Sequence, residues 1–345
     1  MIRRFLSLLL ILIGGATAVA AEPRIVPQVS AGRIVDLGIM HSRFSDPRRV
    51  MVWLPEGYSP TAAPAAVLYM HDGQNLFDKA TAGYGMEWGI DETLDRLIRE
   101  RKVRPTIVVG IWNTPKRLRE YVPSKAFDRL PRQYIDRVRG LYGGDPLSDG
   151  YLRFLVRELK PLIDRRFNVA RGRADTVIMG SSMGALISLY AIDEYPRVFG
   201  AAGMMSTHWP LFLPEPGKAL SDGEVDTVAS AFETYLRSDL ARPASHRLYF
   251  DHGSETLDAH YAAYQQRIDK VLAASGYHHG RNLLSREFPG QKHNELSWAS
   301  RVEIPLRFLL PPHVRRRAAD MASPPAHHGS AARQGKSTRY FGAGS

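Results

Sequence analysis

Apolar positions along the chain alternate between two kinds of pattern. Seven short runs are apolar and rich in β-branched or aromatic residues: Arg49–Leu54, Ala65–Met70, Thr106–Trp112, Asp175–Met179, Phe199–Met205, Arg247–Asp251 and Leu283–Phe288. Between them lie stretches whose apolar residues recur every three to four positions: Asp91–Arg101, Tyr151–Phe167, Met183–Glu194, Asp258–Ala274 and a segment from Glu295 that Pro305 interrupts. In Tyr151–Phe167, for example, Leu152, Leu155, Val156, Leu159 and Leu162 share one helical face. Buried strands alternating with helices predict an α/β fold, with a mainly parallel central sheet and helices on both faces. The least regular stretch, 113–150, reads as a loop-rich insert.

The two ends depart from this pattern. Arg3 and Arg4 precede an apolar run, Phe5–Ile13, broken only by Ser7, and small residues follow up to Ala21. This order predicts a signal peptide over 1–21 and a periplasmic or secreted location. Pro311-Pro312 stops the last helical segment. Residues 313–345 are mostly Arg, Ala, Ser, Gly, Pro and His without apolar periodicity, which predicts a disordered basic tail. The folded domain is therefore expected over 22–312 as one unit.

Composition changes the picture in two places. The 345 residues carry 46 Lys plus Arg against 35 Asp plus Glu, a formal net charge of +11. Two of those charges are Arg3 and Arg4, and the tail holds a net five, so +4 remains for residues 5–312. The body has no helix-turn-helix, zinc-finger or RNA-recognition signature, so no nucleic-acid partner is expected. The tail leaves weak contact with an anionic surface open. No later run approaches a membrane span, so none is expected in the mature chain. Cysteine is absent, which excludes disulfides, thiolate metal ligands and a thiol nucleophile. No HExxH-type cluster is present, and neither a metal nor another cofactor is expected.

Gly180-Ser181-Ser182-Met183-Gly184 fits Gly-x-Ser-x-Gly and sits between a strand and a helix. Such a sharp turn lifts the central serine above the sheet and points a helix N-terminus at developing negative charge. Ser182 is the candidate nucleophile, and Ser181 is expected to point elsewhere. A serine needs a base. His293 follows the last strand, where a catalytic histidine loop belongs, whereas His208 comes too early in chain order. Three carboxylates compete for the acid after Arg247–Asp251: Asp258 is preferred, with Glu255 and Asp251 as alternatives. The oxyanion donors are expected to be the N–H groups of Met183 and Gln74, with Gly73 allowing the tight turn of the second loop. His71 and Asp72 are read as holding that loop. Trp112 and Trp209 fall at the expected carboxyl edge, as substrate-binding aromatics or as packing.

Six blocks occur in one order: HDGQNLFD (71–78), EWGIDETLDRL (87–97), NTPKRLREYVP (113–123), GSSMGA (180–185), FDHGSETLD (250–258) and KHNE (292–295). Together they make the chain from Arg49 to Leu310 resemble the putative-esterase family of α/β hydrolases. That family includes enterobactin-type, feruloyl and acetyl-xylan esterases, S-formylglutathione hydrolase and mycolyltransferases. The resemblance implies a triad of Ser182, Asp258 and His293 with oxyanion groups from Gln74 and Met183. The family's acid loop varies, which keeps Glu255 open. The block around Arg119-Glu120-Tyr121 lies near the active-site mouth in the family, either bracing a loop or touching substrate. The expected function is an exported serine carboxylester hydrolase working through an acyl-enzyme on a small-molecule, carbohydrate or siderophore ester. Acyl transfer on the same fold is the alternative. A catalytically inactive binding module is disfavoured because all three triad positions are filled.

Overall fold

The computed structural model describes residues 26–213 and 220–312, so the expectations for 1–21 and 313–345 lie outside the described residues. Eight strands form one sheet: β1 (Arg33–Met40), β2 (Arg48–Leu54), β3 (Ala66–His71), β4 (Thr106–Ile111), β5 (Thr176–Ser181), β6 (Ala201–Met205), β7 (Arg247–Gly253) and β8 (Leu283–Phe288). Their order is β1-β2-β4-β3-β5-β6-β7-β8. β1 and β2 pair antiparallel, as do β2 and β4, and every other pair is parallel. This is the mainly parallel α/β sheet that the alternating pattern predicts.

Each central strand is apolar on both faces, and its period of two sends side chains into two cores. Val67 and Tyr69 of β3, Ile178 of β5 and Phe250 of β7 enter one core. Leu68 and Met70, Val177 and Met179, and Tyr249 enter the other. Helix α1 (Ile90–Arg99) covers the second core. The insert contains α2 (Arg117–Tyr121), α3 (Ser124–Phe127) and α4 (Arg132–Tyr142), so the expected loop-rich stretch is largely helical. α5 (Ser148–Phe154) passes through a π-helical turn, Leu155–Leu159, into α6 (Lys160–Arg166). α7 (Met183–Glu194) is buried around its whole circumference from Met183 to Asp193, which explains its nearly continuous apolar sequence.

Beyond the helices of the insert, β1 and the helix over Asp222–Asp239 also went unpredicted. β1 lies at the sheet edge and its register shifts between Asp36 and Gly38. That bulge breaks the simple alternation that marks a strand. α8 (Asp222–Asp239) starts at Ser221, whose side chain forms a reciprocal capping box with Glu224. The helix expected from Asp258 is a 3-10 turn, Thr256–His260, followed by α9 (Ala262–Ala274). The final segment divides at Val302 into α10 (Glu295–Arg301) and α11 (Glu303–Leu309). Pro305 falls in the first turn of α11, where its missing N–H disturbs no intrahelical bond. α10 and α11 close the second core through Trp298, Val302, Leu306 and Leu309.

Candidate active site

β5 ends at Ser181, and the next residue, Ser182, takes φ 57° and ψ −123° before α7 begins. A side chain in that region of backbone space is strained and must be held there. The Ser182 N–H donates to the Met205 carbonyl at 2.9 Å, and the His208 N–H donates to the Ser182 carbonyl at 3.3 Å. Gly180 makes the turn possible, since a Cβ there would meet the Gly184 backbone at 2.8 Å. Met183 opens α7, so its N–H has no intrahelical acceptor. Gln74 occupies the middle of a 3-10 turn, Gly73–Asn75, that follows β3.

β7 and β8 bring the acid and the histidine together. The His293 ring donates through Nδ1 to Asp258 Oδ1 at 2.6 Å. The second Asp258 oxygen accepts from Ser206 Oγ at 2.6 Å and from the Gly253 N–H at 2.5 Å. Burial alone would raise this carboxyl. The hydrogen bond from His293, that ring's charge and the Ser206 and Gly253 donors outweigh burial and hold it below the usual range. The other two carboxylates are placed differently. Glu255 is exposed, and Asp251 is a buried partner of Arg301. Gly253 matters for the same junction, because a Cβ on it would lie 2.1 Å from the Gln291 carbonyl oxygen. That carbonyl also accepts the N–H groups of Ser254 and Glu255. His293 stands edge-on to Trp298 and Tyr261, with ring centroids 5.1 and 5.7 Å away.

Ser206 and Arg301 were not visible as site residues in the sequence. Ser206 follows β6 with φ 47°, and its Oγ also accepts from Trp298 Nε1 at 2.9 Å and Arg301 Nη2 at 3.0 Å. Arg301 in turn donates to both oxygens of Asp251. The acid is thus backed by a fully buried polar network. Four neighbouring strands, β3, β5, β6 and β7, are followed by a non-glycine residue with positive φ: Asp72, Ser182, Ser206 and Thr256.

The loop after β3 is fixed by a second network. Arg117 grips Asp72 through Nε and Nη2, both at 2.7 Å, and Asn113 Nδ2 donates to the same carboxylate at 2.6 Å. Burial would raise Asp72, yet Arg117 and Asn113 hold it below the ordinary value. His71 Nδ1 pairs with the Tyr151 hydroxyl at 2.7 Å, and burial pushes the ring's pKa down to about 3, leaving it neutral. Glu120 forms a buried pair with Arg48, Tyr121 packs against His71, and Arg119 donates to the Asp145 carbonyl. The Arg119–Tyr121 block therefore braces the insert. His208 is buried and bonded to the Tyr261 hydroxyl, with its pKa pushed to about 3 by burial and by His293.

A cleft of about 610 Å³ opens at the carboxyl edge, bordered by Gln74, Ser182, His293, Arg117 and Asp72. Ser181 borders it too. Neither tryptophan singled out in the sequence faces it. Trp209 is packed against Phe232 and Phe250, and its Nε1 donates to Gln265. Trp112 leaves the end of β4 toward Arg49 of β2, whose guanidinium lies 5.6 Å from its ring. The aromatic lining comes instead from Tyr84, Trp88 and Trp298, with Met86 and Leu257.

The profile of the family described as "Putative esterase" matches residues 42–281. Uncharacterized protein YbbA of Bacillus subtilis is 26% identical over 255 residues, covering 72% of this chain and 87% of its own length. Ferri-bacillibactin esterase BesA of the same organism is 28% identical over 158 residues, 44% of this chain and 50% of its own. Among solved structures, the enterobactin esterase FES from Shigella flexneri superposes with a TM-score of 0.57 at 17% identity over 82% of this chain. This chain spans 60% of the Shigella protein. The BES protein from Bacillus cereus also gives 0.57, at 15% identity over 84% of this chain and 99% of its own. These likenesses carry the fold, and the profile match carries the membership: the chain belongs to the putative esterase family of carboxylic ester hydrolases.

Proposed function

We propose that the chain is an exported serine esterase that cleaves a small-molecule carboxylic ester through an acyl-enzyme. One observation carries the reading. The Asp258–His293 hydrogen bond stands on two loops at the rim of the cleft that Ser182 borders from its strained elbow.

With Nδ1 bonded to Asp258, the free His293 nitrogen, Nε2, is the one left for proton transfer. Ser182 Oγ attacks the ester carbonyl as Nε2 takes its proton. The carbonyl oxygen becomes negative and is met by the N–H groups of Met183 and Gln74, each such donor being worth about 10²–10³ in rate. Nε2 then protonates the departing alcohol, leaving an ester on Ser182. Water loses a proton to the same nitrogen and attacks the acyl carbon, and Nε2 returns that proton to Ser182 Oγ as the acyl–oxygen bond breaks and the acid leaves. Asp258 holds the tautomer and offsets the imidazolium charge throughout.

The mature protein should hydrolyse p-nitrophenyl esters of short acids, and Ser182→Ala should abolish that activity. A panel of acetyl, feruloyl, siderophore and thioester substrates then ranks the natural chemistry. Equal hydrolysis by wild type and Ser182→Ala overturns the reading. Export rests on the order of residues 1–21. Fractionation of cells expressing the full chain tests it, and retention in the cytoplasm overturns it.

A further inference from the structure

Two acidic side chains border the cleft, and they stand in different states. Asp72 has both oxygens engaged by Arg117 and Asn113. Glu295 is also buried, at 5% exposure, yet its protein partner is a neutral amide: Asn75 Nδ2 donates to Oε1 at 3.1 Å. The Asn75 amide is itself oriented, because its oxygen accepts the Gly83 N–H at 3.0 Å. Its NH₂ group must therefore face Glu295. Beyond Glu295's own N–H, which acts on the carboxyl, no other described residue donates to Oε2, and this oxygen is not among the fully enclosed orphan atoms, so the cleft is where it meets a further partner.

A carboxyl oxygen that opens to the cleft, on a side chain otherwise buried, is placed to accept a donor from a bound molecule. The site favours a neutral donor over a cation. Burial and the Asp72 charge raise this carboxyl, while its own N–H, His293 and Arg117 pull against them, and the imidazole becomes positive during the reaction. Glu295 also stands two residues beyond His293, whose Nε2 faces the departing alcohol in the proposed mechanism.

We infer that Glu295, held by Asn75, is a specificity-determining residue whose free oxygen accepts a hydrogen bond from a hydroxyl on the alcohol portion of the ester. The substrates it selects are esters of polyhydroxy alcohols, glycerol or a sugar being the simplest. The inference rests on the esterase reading for its reaction but not for its binding, and the test separates the two.

Compare glyceryl monobutyrate with propyl butyrate in wild type and Glu295→Gln. Glutamine keeps an acceptor for Asn75 but lacks the charge. A hydrogen bond to a charged acceptor is worth about tenfold or more, so the ratio of kcat/KM for the glyceryl ester over the propyl ester should fall about tenfold. An equal change for both esters overturns the inference and makes Glu295 a purely structural partner of Asn75. Binding is then measured without turnover, in the Ser182→Ala background, through the fluorescence of Trp88 and Trp298. Glyceryl ester should bind about tenfold more weakly when Glu295→Gln is added, and unchanged binding overturns the inference. Weaker binding with no hydrolysis by wild type keeps the subsite and sinks the esterase reading instead. If Glu295→Gln does not fold, Asn75→Asp serves in its place. That change sets two carboxyls together and should lower the same ratio, so an unaltered ratio is again fatal.

Discussion

Asp258 and His293 are 35 positions apart in sequence and share a 2.6 Å hydrogen bond between Oδ1 and Nδ1. The bond fixes which ring nitrogen is left for proton transfer. Asp258→Asn keeps the size of the side chain but turns an NH₂ group toward a donor, either the His293 ring or the Ser206 and Gly253 pair, where the carboxylate accepts. It should lower kcat by about 10⁴-fold with little change in fold, as measured by ester hydrolysis and circular dichroism. A loss smaller than tenfold would remove Asp258 from the proposed machinery.

Gly253→Ala tests the junction between the two loops. The new methyl would collide with the Gln291 carbonyl oxygen, 2.1 Å away, and crowd Asp258 Oδ2 at 3.0 Å. Overpacking of this kind costs about 1–3 kcal/mol. Urea midpoints should fall accordingly, and kcat should fall more than KM rises because the acid and histidine loops are forced apart. Unchanged kcat in a folded variant would mean the loops can separate without consequence.

Arg117→Ala leaves the Asp72 carboxylate without its cation. Breaking a buried pair on one side typically costs about 3–5 kcal/mol, and the partial exposure of Arg117, at 26%, places the expected loss near the lower end. Because Asp72 precedes the Gly73–Asn75 turn, kcat should drop along with stability. Arg117→Lys should recover only part of both, since an ammonium cannot make the paired contact. Full recovery by lysine would show that charge alone suffices.

Asp193 offers a test by pH. Burial pushes its pKa from 3.8 up to about 8, and among the described residues its oxygens accept the Ala241 N–H and the Tyr235 hydroxyl. A folded-state value raised above the unfolded one gives stability that is full below the unfolded value and is lost as pH rises through the folded value. Asp193→Asn removes that titration. The difference in urea midpoint between wild type and variant should therefore shift against wild type between pH 5 and pH 9.5. A difference that stays constant would show the carboxyl ionised in the native protein throughout.

The sequence was most readable where one local rule decides the outcome. Continuous apolar runs mark strands buried on both faces, and Gly180-Ser181-Ser182-Met183-Gly184 marks a strand-to-helix turn, because both depend on neighbours in the chain. β1 was missed because its bulge at Asp36–Gly38 scrambles the alternation. α8 was missed although Ser221 and Glu224 form a capping box that could have revealed it. Trp112 and Trp209 show a different limit. Their positions after strands were read correctly, but the direction of a side chain there depends on partners far away, Arg49 in one case and Gln265 in the other. Ser206 carries no local signal, and Arg117 and Glu295 lie in the matched blocks NTPKRLREYVP and KHNE without anything local that assigns them a role. Each becomes a site residue only because another strand end lies beside it.

Positive φ at Asp72, Ser182, Ser206 and Thr256 concentrates unfavourable backbone geometry along one edge of the sheet. Such a residue costs of order 1–3 kcal/mol, a sizeable share of the net stability of a domain. Heat resistance and catalysis therefore draw on the same four positions. Glycine or asparagine would relax the backbone at Ser206, but would take away the hydroxyl that meets Asp258, Trp298 and Arg301. Variants selected for survival at high temperature should accumulate their changes in the outer helices and leave this edge alone, and variants that relax it should gain melting temperature as they lose turnover.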